Sequence, residues 1–278
     1  MTGFRWLASY PRSGNTWTRL LLDSYCREGA AVDINRIASV AHHLYDIAAF
    51  DQAIGLSSAD LTDAEIIALR PAALRSICGW LAEPALVKCH DVRYRQADGT
   101  WQIPADVSLG GVYLVRDPRD VVLSLANLLD SSIDEAISRM ENRGQVMGRS
   151  ITRQSHQLPN LWGSWSENVE SWLGPDPFPV HVVRYEDLRR DPVATFFGML
   201  LALGIEPRED QVTAAVRSAD LSTLRLQEQQ QGFAERRSQR PFFGAGRVGS
   251  WQDGLTTDQV ARIEAAHGPT MRRLGYLD

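Results

Sequence analysis

The sequence has few cysteines, no long uncharged run and no excess of positive charge, and each shortage excludes something. Cys26, Cys78 and Cys89 are odd in number and lack CxxC spacing. They specify neither a disulfide framework nor a zinc knuckle, so three reduced thiols in a cytoplasmic protein are expected. No apolar stretch approaches the roughly 18 residues that a membrane span needs, so no membrane partner is expected. Met1–Gly3 leads straight into Phe4-Arg5-Trp6-Leu7, without the basic region and long apolar run of a secretory signal. The formal net charge is −5 and the pI about 5.7, which excludes a general basic field for nucleic acid or anionic lipid. Any anion site must therefore be a local cluster of Arg, Lys and backbone N–H groups. No His/Cys/Asp cluster has metal-ligand spacing, and no metal is expected.

What remains is an ordinary folded composition. Hydrophobic residues make up 44% and charged residues 23% of 278 residues, which suits one α/β domain over 1–278. Residues 4–10 read as a short strand running into Pro11-Arg12-Ser13-Gly14-Asn15, after which Trp17, Leu20, Leu21 and Tyr25 share one helical face. Further strands are expected at Ala85-Leu86-Val87, ending in Lys88-Cys89-His90, at Gly111–Val115, ending in Arg116, and at Val180–Tyr185. Asp117-Pro118 and Asp191-Pro192 both place a capping Asp before a first-turn Pro. They predict helices to about Leu129 and about Leu203, the second stopped by Gly204. Strands alternating with helices imply a mostly parallel sheet flanked by helices on both faces, with ligands at the carboxyl ends of its strands. Residues 31–83 are expected to be a helical insertion, with Ala59–Leu69 its clearest helix. Residues 131–160, with Gly144 and Gly148, are expected to be mobile, and 227–247, with Gln229-Gln230-Gln231, to be loose.

Three strand ends carry the chemistry. In Tyr10-Pro11-Arg12-Ser13-Gly14-Asn15-Thr16-Trp17, a Gly lets backbone N–H groups turn toward a ligand at a helix N-terminus. Ser13, Asn15 and Thr16 add donors and Arg12 a fixed cation. By itself the loop fits either a phosphate or sulfate site or an ordinary capped turn. It is not a full Walker A loop, because Gly14 is followed by Asn15 rather than Lys. In Arg116-Asp117-Pro118-Arg119-Asp120, the strand-end Arg and Ser124 on the following helix could grip one phosphate from two sides. Alone, this too reads as a capped helix with a surface Arg–Asp network. His90 ends an apolar strand beside Lys88, where it could take a proton from an attacking hydroxyl. The other five histidines, His42, His43, His156, His181 and His267, are expected to be structural.

Taken together these segments resemble the sulfotransferase family. Tyr10–Trp17 is similar to its 5′-phosphosulfate loop, Lys88-Cys89-His90 to its catalytic Lys-Thr/Ser-His element, and Arg116–Ser124 to its 3′-phosphate element. Gly163-Ser164-Trp165 through Ser171-Trp172, Val183–Leu188 and, more weakly, Gly249-Ser250-Trp251 also look like family elements. The resemblance implies a P-loop-like parallel sheet and the donor 3′-phosphoadenosine 5′-phosphosulfate. It places Arg12, Ser13, Gly14, Asn15, Thr16 and Trp17 on the 5′-phosphosulfate, with Trp17 near the adenine. Arg116 and Ser124 would hold the 3′-phosphate, with Tyr185 by the base. His90 would be the general base and Lys88 would steady the sulfuryl oxygens. The expected partner is a small-molecule hydroxyl acceptor, and a homodimer is left open. The opening strand and the Gly163–Trp172 run look most like bacterial sulfotransferases that tailor glycopeptide antibiotics.

The chain departs from the family in three places. Arg12 replaces a Lys and is a poor general acid. Cys89 replaces a hydroxyl residue. Gly244 and Ala245 stand where the family has a basic pair that clamps the 3′-phosphate, with Arg247 nearby to compensate. Arg236, Arg237 and Arg240 read as a solvated loop that could instead fold over the donor. The acceptor should meet 31–83, 131–160 and 227–247, where His42, His43, Tyr45, Phe50, Trp162, Phe233, Phe242 and Phe243 are either pocket or core. Two other functions fit less well. A kinase lacks its Gly-Lys-Ser/Thr and a clear Mg²⁺-binding Asp, and a non-catalytic nucleotide-binding protein has no need of the Lys88/His90 pair.

Overall fold

The computed structural model describes residues 2–39, 41–43, 46–147, 157–174, 178–236, 238–244 and 246–278, with backbone alone at 38, 39, 42 and 43. The chain begins β1 (Phe4–Ser9), α1 (Asn15–Cys26), β2 (His42–His43), α2 (Ile47–Ile54), α3 (Asp63–Gly79), β3 (Ala85–Cys89) and β4 (Ser108–Val115). It continues through α4 (Pro118–Leu129), α5 (Ile133–Glu141), β5 (Val146–Met147), β6 (Asn160–Leu161), α6 (Trp165–Leu173) and β7 (Val180–Arg184). The remainder is helical: α7 (Tyr185–Arg190), α8 (Pro192–Ala202), α9 (Glu209–Ser218), α10 (Leu221–Gln231), α11 (Trp251–Gly254) and α12 (Thr257–Arg273).

Five strands form a parallel sheet in the order β2-β3-β1-β4-β7. β1 is buried on both faces and shows why the sheet needs cover on each. Phe4, Trp6 and Ala8 point into one core with Tyr113 and Val115, while Leu7 points into the other with Val112 and Leu114. The first core is covered by α3, α4, α5, α6 and α12, the second by α1, α8, α9 and α10. This is the expected α/β arrangement with helices on both faces. Gly111 lies in register with Trp6, and a Cβ there would come 2.9 Å from the Trp6 Cβ, so only glycine lets the two strands meet at that point.

From β1 the chain passes to β2 and β3 on one side and then returns to β4 on the other, which makes the end of β1 a topological switch point. Leu7 aligns with Lys88, Ser9 with Leu114, and Val115 with Arg184. The carboxyl ends of four strands are thus level, and the residues that follow them share one edge.

Several expected boundaries moved. The helix expected over Ala59–Leu69 starts later, at a Thr62/Glu65 capping box, and runs on through Pro71 to Gly79. A proline inside a helix leaves the carbonyl four residues back without its N–H. Here the Gln96 side chain donates to Ile67 O at 3.1 Å and fills that position. Residues 131–160, expected to be mobile, hold α5 and the β5–β6 pair. α5 has a Ser132/Glu135 capping box and buries Ala136, Ile137 and Met140. Part of 227–247 is fixed as well, because α10 extends to Gln231 and the Glu228 carboxylate accepts from the N–H groups of Phe242 and Phe243. β2 and α12 had no counterpart in the sequence reading.

Candidate active site

The loop between β1 and α1 is shaped by two left-handed residues, Arg12 at φ 70° and Gly14 at φ 103°. At Gly14 a Cβ would stand 2.8 Å from Tyr185 Cδ2, so glycine is required both by the turn and by the ring packed on it. Asn15, at the first turn of α1, donates to Leu7 O at 3.1 Å and to Ser9 Oγ at 3.4 Å, tying the helix start back to the strand. The loop opens on a cavity of about 630 Å³, lined by Arg12, Gly14, Asn15, Thr16 and Trp17. The Ser13 side chain is buried outside that lining.

At the end of β3, Lys88 and His90 line the same cavity. His90 Nδ1 lies 2.8 Å from the Ser9 carbonyl oxygen, which can only accept. Nδ1 therefore carries the ring proton and Nε2 is the basic nitrogen. Burial, followed by the neighbouring Lys88 ammonium, pushes the imidazole pKa down to about 3, so the ring is neutral at physiological pH. Asn168 on α6 fixes the backbone of this residue. Its Nδ2 donates to His90 O at 2.8 Å and to Trp162 O at 2.9 Å, and its Oδ1 accepts from Tyr113 OH at 2.7 Å. Ser171 accepts from the N–H of Arg93, and Trp172 Nε1 donates to Asp91 O, so one face of α6 fastens the turn after His90. Asp91 itself is paired with the buried Arg70.

The end of β4 forms a second corner. Arg116 stacks 4.4 Å above the Tyr185 ring, lies 3.6 Å from Asp120 and donates to Arg247 O at 3.2 Å. Asp120 accepts from the N–H groups of Gly249 and Trp251, at 2.8 and 2.9 Å, and so docks the C-terminal turn beside Arg116. Glu186 accepts from Asp117 N at 3.0 Å and from Tyr276 OH at 2.9 Å, which ties the motifs after β4 and β7 together. Arg12 reaches into this corner. Its Nε donates to Ser124 Oγ at 2.7 Å, its Nη2 donates to Phe242 O at 3.2 Å, and its guanidinium lies 4.2 Å from the Phe242 ring centroid. Burial, then the nearby charge of Arg116, lowers its pKa to about 10.

All the sequence-derived site residues except Ser13 line the one cavity: Lys88, His90, Arg116, Ser124, Tyr185 and Arg247 join the five from the loop. Trp17 and Tyr185 meet edge to face at 6.0 Å. Trp162, Phe242 and Phe243 line the cavity, whereas Phe50 and Phe233 are buried outside its lining. No described residue of 31–83 lines it, and three of the residues named there as acceptor contacts fall outside the description: Tyr45 and the side chains of His42 and His43. Arg236 and Arg240 are exposed and off the cavity, as a solvated loop requires, and Arg237, Ala245 and His156 are outside the described residues. His267 is structural as expected, buried and 2.9 Å from Ser166 Oγ.

Sequence reasoning missed three features. Asn168 was noted only as part of a motif, not as the anchor of His90. Arg19, fully buried on α1, pairs with the cavity-lining Glu235 at 2.7 Å; a charged residue inside an otherwise apolar helix stripe was the available signal. Lys88 is the single lysine among 29 Lys and Arg residues, a signal readable by counting.

The family model described as Sulfotransferase domain matches residues 101–275. Cytosolic sulfotransferase 16 of Arabidopsis thaliana is 26% identical over 184 residues, 60% of this chain and 52% of that protein. The amine sulfotransferase of Oryctolagus cuniculus is 23% identical over 168 residues, 55% and 51% of the two. The chain thus spans about half the length of the curated relatives it matches. Among solved structures, a retinol dehydratase in complex with androsterone and inactive cofactor PAP superposes with a TM-score of 0.60 at 19% identity, covering 96% of this chain and 80% of that one. A mouse sulfotransferase complexed with PAP gives 0.57 at 18% identity, covering 97% and 85%. These likenesses show the fold. The sequence match, which takes in the Arg116 corner, Tyr185 and the turn docked on Asp120, makes the chain a member of the sulfotransferase family.

Proposed function

We propose that the chain transfers a sulfuryl group from 3′-phosphoadenosine 5′-phosphosulfate to the hydroxyl of a small molecule, with His90 as general base. The observation that carries this is the Nδ1–Ser9 O bond, which leaves Nε2 as the base in a cavity shared with Lys88 and the anion-binding loop. The cavity suits the donor on its own terms. Two guanidiniums, Arg12 and Arg116, line it together with the loop, a concentration of positive charge that an anion would neutralise. The Trp17–Tyr185 pair offers aromatic faces next to it. The PAP in both solved neighbours supports the same donor.

The donor supplies a sulfur centre already joined to a good leaving group. Around it, the protein's part is positioning and charge stabilisation. The acceptor oxygen bonds to sulfur as its proton passes to His90 Nε2, the bond from sulfur to the bridging oxygen breaks, and adenosine 3′,5′-bisphosphate leaves. Lys88 and the loop N–H groups, which share the cavity, would hold the sulfuryl oxygens. Leu123, Leu128, Leu129, Met147 and Trp162 make part of the cavity wall apolar, which suits an acceptor with an apolar body and one hydroxyl.

Calorimetric titration with adenosine 3′,5′-bisphosphate, beside ATP with and without Mg²⁺, tests the donor. Tight, metal-independent binding of the bisphosphate with much weaker ATP binding is expected. A preference for Mg·ATP would replace this reading with a kinase. Transfer of label from phosphosulfate to a panel of phenols and alcohols then tests the reaction itself.

A further inference from the structure

The basic pair that the sulfotransferase resemblance implies near the C-terminus is missing, yet the corner it would serve is not short of charge. Gly244 lines the cavity, and among the described residues, its chain neighbours aside, no atom lies within 4 Å of where its Cβ would stand, which leaves room for a side chain it does not carry. The nearest sequence substitute, Arg247, lines the cavity but has its guanidinium engaged by a carboxylate. Its guanidinium pairs with Asp253 at 2.9 Å, with the side chain 63% exposed, and only its carbonyl meets Arg116.

The cation that does enter the corner comes from the other side of the site. Arg12 belongs by sequence to the 5′-phosphosulfate loop, but its left-handed backbone sends the side chain to Ser124 on α4, 112 residues away. Phe242 holds it there from the opposite direction, by its carbonyl oxygen and by its ring. Arg12 Nη1 has no hydrogen-bond partner among the described residues. Arg12 and Arg116 both line this cavity, and two cations there favour a ligand group bearing more than one negative charge. A phosphate monoester has such a charge near neutral pH, whereas a transferring sulfuryl group carries less.

We propose that Arg12 serves the 3′-phosphate of the donor together with Arg116 and Ser124, replacing the absent basic pair, and that Lys88 serves the sulfuryl end. The inference rests on the donor proposed above. It also accounts for a lysine kept at position 88 alone: the sulfuryl end needs a compact ammonium, whereas a planar fork suits a phosphate held beside Ser124.

The test compares adenosine 3′,5′-bisphosphate with adenosine 5′-phosphate by calorimetry, in the wild-type chain and in Arg12→Gly. Glycine is chosen because φ 70° is unstrained for it. Charge-assisted hydrogen bonds of this kind are worth about 1.5–3 kcal/mol, so bisphosphate affinity should fall by about 10- to 150-fold. The 5′-phosphate should lose no more than about 3-fold, because it lacks the group Arg12 holds. Adding Gly244→Arg to Arg12→Gly should restore part of the preference for the bisphosphate. Equal losses for the two nucleotides would overturn the proposal and return Arg12 to the 5′ end. Binding of neither nucleotide by the wild-type chain would sink the donor reading first, before any variant is compared. Should the glycine variant melt near the assay temperature, Arg12→Gln carries the same comparison.

Discussion

Replacing His90 by Asn is expected to lower kcat by about 10²- to 10⁴-fold, the usual contribution of a placed general base, while bisphosphate affinity stays near that of the wild-type chain. Asparagine can still donate to Ser9 O, so the turn after β3 keeps its anchor and the comparison isolates the lost Nε2. The pH dependence gives an independent check. The free-protein imidazole has its pKa lowered to about 3, by burial and then by Lys88, so it is in the basic form over the whole neutral range. Proton uptake by His90 should therefore not limit kcat/KM near its ordinary pKa of 6.5. A bound anionic donor opposes the Lys88 charge and raises the imidazole pKa, so the acid limb of kcat should lie at higher pH than that of kcat/KM. An acid limb near pH 6.5 in kcat/KM that persists in His90→Asn would place the base elsewhere.

Asn168→Ala is expected to damage both stability and turnover. The side chain is fully buried and makes three hydrogen bonds, two to carbonyls that hold the His90 turn and one from Tyr113. Each partner left unsatisfied costs about 1–3 kcal/mol. A total near 3 kcal/mol corresponds to a fall in Tm of roughly 6–12 °C for a chain of this size. Activity separates positioning from packing. Measured well below the new Tm, kcat should drop by about tenfold or more with bisphosphate affinity retained, because Nε2 is no longer held where it meets the acceptor hydroxyl. An unchanged kcat in the folded variant would reduce Asn168 to a packing role.

The residues after β1, β3 and β4 were legible because each follows an apolar run, where a polar residue stands out and where a parallel sheet places its ligands. The helix starts at Pro118 and Pro192 were equally plain, since Asp followed by Pro acts locally. What escaped the sequence depends on partners far along the chain. The extent of α3 past Pro71 relies on Gln96, and the grip of Arg12 on Ser124 spans 112 residues. Arg19 could be flagged as a charge in an apolar stripe, but nothing nearby in sequence points to Glu235, 216 residues on. Loose composition misled over 131–147 and 227–244. There, capping boxes and a single buried carboxylate, Glu228, order segments that carry few apolar residues.

The docking of Gly249 and Trp251 on Asp120 has a consequence for how the molecule is made. A ribosome releases the chain from its N-terminus, and domains assemble as their parts emerge. The loop, Lys88, His90 and its anchor Asn168 all lie ahead of β7, and the bonds that fix His90, to Ser9 O and from Asn168, form within the first 168 residues. The Arg116 corner does not, because Asp120 waits for residues 249 and 251, and Glu186 for Tyr276. Nascent chains stopped between residues 251 and 276 therefore hold the base in place before the Glu186–Tyr276 tie of this corner can form.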